Sequence, residues 1–166
     1  MIRVLLDDLA FVAVDAVLRP ADERLAPLTP AMARLDQHAG ERFAELRRVG
    51  SPLGAGAAVV TGGGALAAPF VVHLVLREAG GAVTRDAVRR ALLAGWQRAA
   101  DWGLARVAAP LVGMGAGALA SEEAAGLLVE SFAARPTPAC PEELSIVVER
   151  EDERELVEAI VQRNSA

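Results

Sequence analysis

Residues 110–123 read P-L-V-G-M-G-A-G-A-L-A-S-E-E and connect an apolar segment to the start of a helix. Residues 104–110 are typical of a buried strand, and the string S-E-E is typical of a helix N-terminus. Between them lie Gly113, Gly115 and Gly117, which lack a Cβ and can adopt positive φ angles. The stretch therefore predicts a strand, a glycine loop and a helix in direct succession, which is a unit of an α/β fold.

A glycine loop that precedes a helix can bind an anion. Its backbone N–H groups can turn toward one point, and the helix dipole adds about half a positive charge there. A phosphate or pyrophosphate is the natural ligand of such a site. The candidate ligand-binding residues of this loop are Gly113, Met114, Gly115, Ala116, Gly117 and Ala118. The alternative is a tight turn in which glycine only relieves crowding.

Apolar strands and amphipathic helices alternate along the rest of the chain. Strands are expected at residues 2–6, 14–18, 57–62, 70–76, 104–110 and 144–149. Helices are expected at residues 30–39, 41–48, 84–102 and 121–133, and from a capping box at 152 to about 163. This alternation predicts one domain over residues 1–166, folded as a three-layer α/β/α sandwich with a mixed central sheet.

Two of these segments carry more detailed expectations. Residues 57–62 and 70–76 are continuous apolar runs, which are typical of strands covered on both faces. Pro20 is expected to end the strand at residues 14–18, because proline has no N–H to donate to a neighbouring strand.

The composition excludes several classes of function. The 166 residues include 17 basic side chains, all of them arginine, so there is no lysine for a P-loop or for a covalent pyridoxal phosphate, and no cofactor is expected. A net charge of −5 argues against binding to nucleic acid. The apolar runs are too short to cross a membrane and no signal peptide is apparent, so a cytoplasmic location is expected. Cys140 is the single cysteine, and no metal site is expected.

Carboxylates follow the first two expected strands. Asp7 and Asp8 come directly after the first strand, and Asp22 lies shortly after the second. In open α/β sheets, ligands bind outside the carboxyl ends of the strands. We therefore expect these three aspartates and the glycine loop to lie on one rim of the sheet.

Several strings of the sequence resemble the macro domain, the ADP-ribose-binding module. Asp8-Leu9 followed by Val14-Asp15-Ala16-Val17-Leu18 resembles the family's Gly-Asp-Ile turn and the Val-Asp-Ala-Ile-Val strand after it. Residues 56–63 and 70–73 are similar to its Gly-Glu-Ala-Val-Ile-Thr-Pro-Gly and Tyr-Val-Ile-His strings. Residues 110–118 resemble its phosphate loop, Pro-Ala-Ile-Ser-Thr-Gly-Ile-Phe-Gly. The resemblance extends over about the whole chain.

The resemblance implies a ligand and roles for particular residues. The ligand would be ADP-ribose or a related adenine nucleotide, bound by Asp8, Leu9 and the glycine loop. Asp8 falls where the family's aspartate accepts a hydrogen bond from the adenine amino group. The alternative for Asp8 is a solvated carboxylate in a turn.

The chain departs from the family pattern at three places. Residues 19–22 read Arg-Pro-Ala-Asp where active members carry Asn-Ala-Ala-Asn, so Asp22 stands at the position of the ribose-facing asparagine. Asp22 is thus a candidate ligand-binding residue and the one candidate for catalysis, with a loop-capping acid as its alternative. Pro27 and Pro30 fall where the family has a glycine run, which removes two N–H donors. Gly117 replaces an aromatic residue.

Three functions remain open at this point. The first is a module that binds ADP-ribose or a related nucleotide weakly through the glycine loop. The second is a non-catalytic structural domain, or one that binds a protein partner, which has lost the pocket. The third is an ADP-ribosyl hydrolase or O-acetyl-ADP-ribose deacetylase. His73, inside an apolar strand, is expected to be a core histidine bonded to the backbone.

Overall fold

The computed structural model describes residues 1–115 and 119–165, and these contain six strands and five α-helices. The strands are β1 (Ile2–Leu6), β2 (Ala16–Asp22), β3 (Ala58–Gly62), β4 (Phe70–Arg77), β5 (Arg106–Ala109) and β6 (Glu143–Val148). The helices are α1 (Pro30–Ala39), α2 (Phe43–Leu46), α3 (Arg85–Asp101), α4 (Ser121–Ala133) and α5 (Glu151–Ser165), with a short 3-10 helix at Leu9–Phe11.

The strands form one sheet in the order β1-β6-β5-β2-β4-β3. All neighbouring pairs are parallel except β3 and β4, which are antiparallel. Side chains from one face of the sheet pack against α3, α4 and α5, around the fully buried Trp96. The other face packs against α1, α2 and the 3-10 helix. The predicted α/β sandwich with a mixed central sheet is therefore confirmed.

Local sequence explains where two of the helices begin. Thr29 caps α1 by accepting a hydrogen bond from the Met32 N–H, and Pro30 occupies the first helical position. Thr84 caps α3 in the same way, by accepting a hydrogen bond from the Ala87 N–H at 3.1 Å. The expected capping box at Asp152 is wrong, because α5 already begins at Glu151 and the Asp152 carboxylate accepts from the Arg150 guanidinium instead.

Two expectations about the strands were also wrong. The strand β3 is only partly buried, because it forms the edge of the sheet with a neighbour on one side. Pro20 does not end β2, which continues to Asp22. The neighbouring strand β5 pairs only with Ala16 and Val17, so it has already ended when β2 reaches Pro20.

The orientation of the Pro20 nitrogen explains why proline is tolerated in the middle of this sheet. Backbone groups alternate sides along a strand, and Val75 of β4 bonds to the β3 side. Leu74, the register partner of Pro20, therefore bonds to β2 through the residues on either side of the proline. The nitrogen of Pro20 faces the side where β5 is missing, and no neighbouring strand lacks a hydrogen bond there.

Among the residues that the structure describes, no helix is long and apolar enough to cross a membrane.

Candidate functional site

A cavity of about 210 Å³ lies at the carboxyl edge of the parallel strands, where β5 has ended. It is enclosed by the ends of β1 and β6, the first turns of α1 and the loop after β5. The lining residues are Asp7, Asp8, Leu9, Pro20, Thr29, Pro30, Ala31, Met32, Arg34, Leu35, Pro110, Leu111, Met114, Gly115, Val147, Val148, Glu149 and Glu153. Pockets for drug-sized ligands usually measure about 300–1,000 Å³, so this cavity is small.

Asp8 and Leu9 both face this cavity, at the start of the 3-10 helix. The carboxylate of Asp8 accepts a hydrogen bond from the Ala10 N–H through Oδ1, at 2.9 Å. This bond holds the side chain in place and leaves Oδ2 as a second acceptor. A fixed acceptor beside an apolar wall can recognise an amino group on a flat ring, which is the role that the resemblance implies for Asp8.

The charged side chains that line the cavity are mostly acidic. Within the described part of the chain they are the carboxylates of Asp7, Asp8, Glu149 and Glu153 and the guanidinium of Arg34. Arg34 donates from one nitrogen to both oxygens of Glu149, at 3.0 Å each. The two side chains are about half exposed, at 51% and 54%, so this pair lies at the mouth of the cavity. A ligand phosphate must therefore compete with Glu149 for Arg34.

The glycine loop meets the cavity only in part. Met114 and Gly115 line it, whereas Gly113 lines a much smaller neighbouring cavity. The N–H of Met114 donates to the Leu111 carbonyl at 3.3 Å, and the Gly113 carbonyl accepts from the Leu119 N–H at 2.9 Å. These bonds are internal to the turn. Three of the predicted loop residues, Ala116, Gly117 and Ala118, lie outside the residues that the structure describes.

Gly113 owes its identity to packing. Its φ angle is 93°, and a Cβ at this position would lie 2.9 Å from both Leu119 Cδ1 and Val88 Cγ2. Any side chain would therefore collide with α3 and would be strained in the backbone. This geometry favours the interpretation of Gly113 as a residue that relieves crowding, while Gly115 remains at the cavity.

The helix after the loop carries negative charge at its positive end. Glu122 and Glu123 lie in the first turn of α4, beyond the N-cap Ala120. Carboxylates at this end stabilise the helix but offset the attraction of its dipole for a ligand phosphate. The helix N-terminus is therefore a weaker anion site than its glycine loop alone indicates.

Asp22 is not part of the cavity. Its Oδ1 accepts hydrogen bonds from the N–H groups of Arg24 and Ala26, both at 2.9 Å. The carboxylate thus closes the loop after β2, as the loop-capping alternative describes. The catalytic and ligand-binding roles considered for Asp22 stay predictions that this geometry does not favour.

Arg19, three residues before Asp22, is completely buried on the opposite face of the sheet from α3. Its guanidinium donates two hydrogen bonds to Asp36 of α1, at 2.8 and 2.7 Å. It also donates to the Leu25 carbonyl at 2.8 Å and to Nδ1 of His73 at 3.1 Å. Residue 19 therefore ties β2, α1 and β4 together and does not face the cavity.

His73 is a core histidine, as the sequence predicts, but its partners are side chains and not the backbone. Because Arg19 can only donate, Nδ1 of His73 is the acceptor and Nε2 carries the proton that it gives to Thr61 Oγ1, at 2.7 Å. Burial, followed by the charges of Arg19 and Arg47, lowers the pKa of His73 to about 3. The imidazole is therefore neutral at physiological pH.

The cavity also contains residues that the sequence did not single out. Arg34 and Glu149 are 115 residues apart and meet only because α1 packs beside the end of β6. Pro30 was noted for the loss of an N–H donor, and the structure places it on the cavity wall beside Thr29. A signal was present in the position of Arg34, one helical turn after Pro30 and hence on the same side of α1.

Three comparisons with known proteins bear on the family. The family model for the macro domain matches residues 21–128. An uncharacterized protein of Aeropyrum pernix is 31% identical over 126 residues, which are 75% of this chain and 67% of that protein.

Solved structures show the same fold at low sequence identity. A variant of the Oceanobacillus iheyensis macrodomain with ADP-ribose superposes with a TM-score of 0.81 at 14% identity, covering 98% of this chain and 92% of that one. The Trypanosoma brucei macrodomain in complex with ADP-ribose superposes with a TM-score of 0.85 at 18% identity, covering 96% and 68%. Together with the matched family model, the six-stranded sheet and its helices show that this chain belongs to the macro domain family.

Proposed function

We propose that this chain binds ADP-ribose or a related adenine nucleotide weakly, in the cavity between Asp8 and Gly115, and that it does not hydrolyse ADP-ribosylated protein. The observation that carries the proposal is the placement of Asp8, Leu9, Met114 and Gly115 around one cavity at the carboxyl edge of the sheet. The macrodomains of Oceanobacillus iheyensis and Trypanosoma brucei, which share the fold, were solved with ADP-ribose.

The weakness of binding follows from the loop between β2 and α1. Pro27 and Pro30 have no N–H to offer a diphosphate, and the N–H of Met32 is already bonded to Thr29. The amide side chain at residue 22 is replaced by a carboxylate that caps its own loop. Each missing hydrogen bond to a charged ligand costs roughly 1.5–3 kcal/mol. Three such losses, partly compensated by water, weaken the complex by about two to five orders of magnitude relative to an intact clamp.

The charge of the cavity also weakens the binding of a ligand that carries phosphate groups. Four carboxylates and one guanidinium line it in the described part of the chain, and that guanidinium is already paired. Negative phosphates are repelled by such a rim unless they displace Glu149 from Arg34.

Calorimetric or NMR titration with ADP-ribose tests the proposal, with Asp8→Asn as the informative variant. Asparagine keeps one oxygen for the Ala10 N–H but replaces the second acceptor with an N–H donor, so recognition of an amino group is lost. We expect the affinity to fall by about tenfold, the equivalent of one good hydrogen bond. Asp101→Asn, at the end of α3 and away from the cavity, is the matched control and should leave the affinity unchanged.

The alternative is a domain that kept the fold for a structural or partner-binding role. Its support is residue 19, which falls where the family pattern has an asparagine but is a buried arginine paired with Asp36, so it serves packing and not a ligand. Absence of binding to any adenine nucleotide at millimolar concentration would favour this alternative. Hydrolysis of ADP-ribosylated protein that disappears in a folded Asp22→Asn variant would instead overturn the non-catalytic part of the proposal.

A further inference from the structure

The cavity ends at a wall built from both loops. Four residues, Pro20, Thr29, Met114 and Gly115, line the cavity of about 210 Å³ and also line a second one of about 10 Å³ on its far side. Residues shared by two neighbouring cavities separate them. The groove at the carboxyl edge is thus divided into a larger compartment beside Asp8 and a remnant with room for little more than a water molecule.

The central contact of this wall joins Thr29 to Gly115. A Cβ on Gly115 would lie 3.1 Å from the methyl carbon Cγ2 of Thr29, so the methyl group rests against the glycine backbone. The loop before α1 and the loop after β5 therefore touch each other between the two cavities.

Both sides of the wall are anchored. The hydroxyl of Thr29 accepts from the Met32 N–H at 3.3 Å, which fixes the side chain as the cap of α1. Met114 pairs with Leu119 in a short parallel bridge, and its sulfur accepts a hydrogen bond from the Ser121 hydroxyl at 3.0 Å. A ligand cannot open the wall without breaking a helix cap or these contacts.

The described residues that line the remnant beyond the wall are mainly apolar. Leu28, Leu76 and Val83 line it, together with the shared residues and Gly113. The hydroxyl groups of a second ribose would find few partners there, and burying a hydroxyl without a hydrogen bond costs roughly 1–3 kcal/mol. Size and polarity therefore both act against a ligand that extends past Gly115.

We propose that the cavity takes an adenosine-sized ligand, a nucleoside or its 5′-monophosphate, and excludes the second phosphate and distal ribose of ADP-ribose. This inference rests on the proposed function, because it assumes that an adenine nucleotide enters beside Asp8. The cavity would thus select ligands that consist of the adenosine part of ADP-ribose, with at most one phosphate.

Titration of the unaltered chain with adenosine, AMP and ADP-ribose is the first test. The expected result is that adenosine or AMP binds at least as tightly as ADP-ribose. If ADP-ribose binds about tenfold more tightly than AMP or better, the extra groups are recognised and the inference is overturned, while the proposed function stands. If none of the three binds, both fail.

The double variant Thr29→Ser with Met114→Ala is the second test. Serine keeps the oxygen that caps α1 and removes only the methyl group, and alanine removes the side chain that faces both compartments. The ratio of ADP-ribose affinity to AMP affinity should rise by about tenfold or more, as expected for opening a tight apolar contact.

A conservative change elsewhere controls for general effects on the fold. Thr137 accepts a hydrogen bond from the Ala139 N–H at 3.3 Å and lines neither cavity, so Thr137→Ser should leave the affinity ratio unchanged. An unchanged ratio in the folded double variant would show that the wall does not limit the ligand, and would overturn the inference.

Discussion

Substitution of Asp36 should destabilise this protein far more than its partly exposed position indicates. Asp36 accepts two charge-assisted hydrogen bonds from Arg19, whose side chain is completely buried. The side chain of Asp36 itself is 15% exposed to solvent. Asp36→Ala leaves the buried guanidinium without its counter-ion. Breaking a buried pair in this way costs about 3–5 kcal/mol, a large part of the roughly 5–15 kcal/mol that stabilises a typical domain.

Substitution of Arg19, the other partner of the pair, should cost less stability, because Asp36 can still interact with solvent and with Arg47. In Arg19→Met the carboxylate can still reach solvent, and Arg47 Nε lies 3.8 Å away. The Leu25 carbonyl also keeps a donor, since Arg47 bonds to it at 3.0 Å. We expect a loss of about 1–3 kcal/mol, mainly from His73 Nδ1 losing its donor. The double variant Arg19→Met with Asp36→Leu should recover much of the loss, since apolar side chains can replace a buried ion pair.

Urea unfolding followed by tryptophan fluorescence measures these differences. Trp96 is fully buried between α3 and α4, and its indole N–H donates to Ser131 at 2.9 Å, so its emission reports on the packed core. The reasoning is refuted if Asp36→Ala costs less than about 1 kcal/mol, or if it costs no more than Arg19→Met.

Three further outcomes follow from the structure. His73 has a pKa of about 3 when folded and 6.5 as its ordinary value, so the unfolded chain gains a proton first as the pH falls. The contribution of His73 to the free energy of unfolding should be fully present above pH 6.5. It should decrease by up to about 1.4 kcal/mol per pH unit between pH 6.5 and pH 3, and His73→Gln should remove this dependence in parallel urea titrations. Gly113→Ala should lower the free energy of unfolding by about 2–4 kcal/mol, whereas Gly126→Ala, in open space on α4, should raise it by about 0.5–1 kcal/mol; equal effects would contradict the packing argument. Glu149→Gln should change stability by less than about 1 kcal/mol but should release Arg34 and tighten AMP binding several-fold at low salt, a gain that calorimetry at about 0.5 M salt should find reduced.

Much of the fold could be predicted from the sequence, because local signals agree with the final arrangement. The start of α4 follows from the S-E-E string, and the predicted start of α1 at Pro30 is correct. Pro20 misled the prediction because tolerance of a proline depends on the length of β5, which lies 86 residues further along the chain. The boundary of β2 is thus a tertiary property.

The site was less predictable for a similar reason. The sequence identified Met114 and Gly115 through the glycine loop, and Asp8 and Leu9 through the resemblance to the macro domain. The structure brings these four residues together around one cavity. The sequence left Asp22 open as a ligand-binding residue or a loop cap. The conformation of the loop decides between these roles, because it turns the N–H groups of Arg24 and Ala26 toward the Asp22 carboxylate. The ion pair of Arg34 with Glu149 and the contact of Thr29 with Gly115 arise only when distant segments pack, so no local pattern announces them.

The position of Pro20 also determines how far the sequence after β5, at the carboxyl edge of the sheet, can be altered without closing the cavity. A longer β5 would meet no N–H at Pro20, so it could not extend its pairing along β2. The slot between β6 and β2 is therefore kept open by β2 itself and does not depend on the segment that follows Ala109. Libraries that vary Met114 and Gly115 but keep the buried Val112 and the tightly packed Gly113 should change which ligand enters without extending the pairing of β5 along β2.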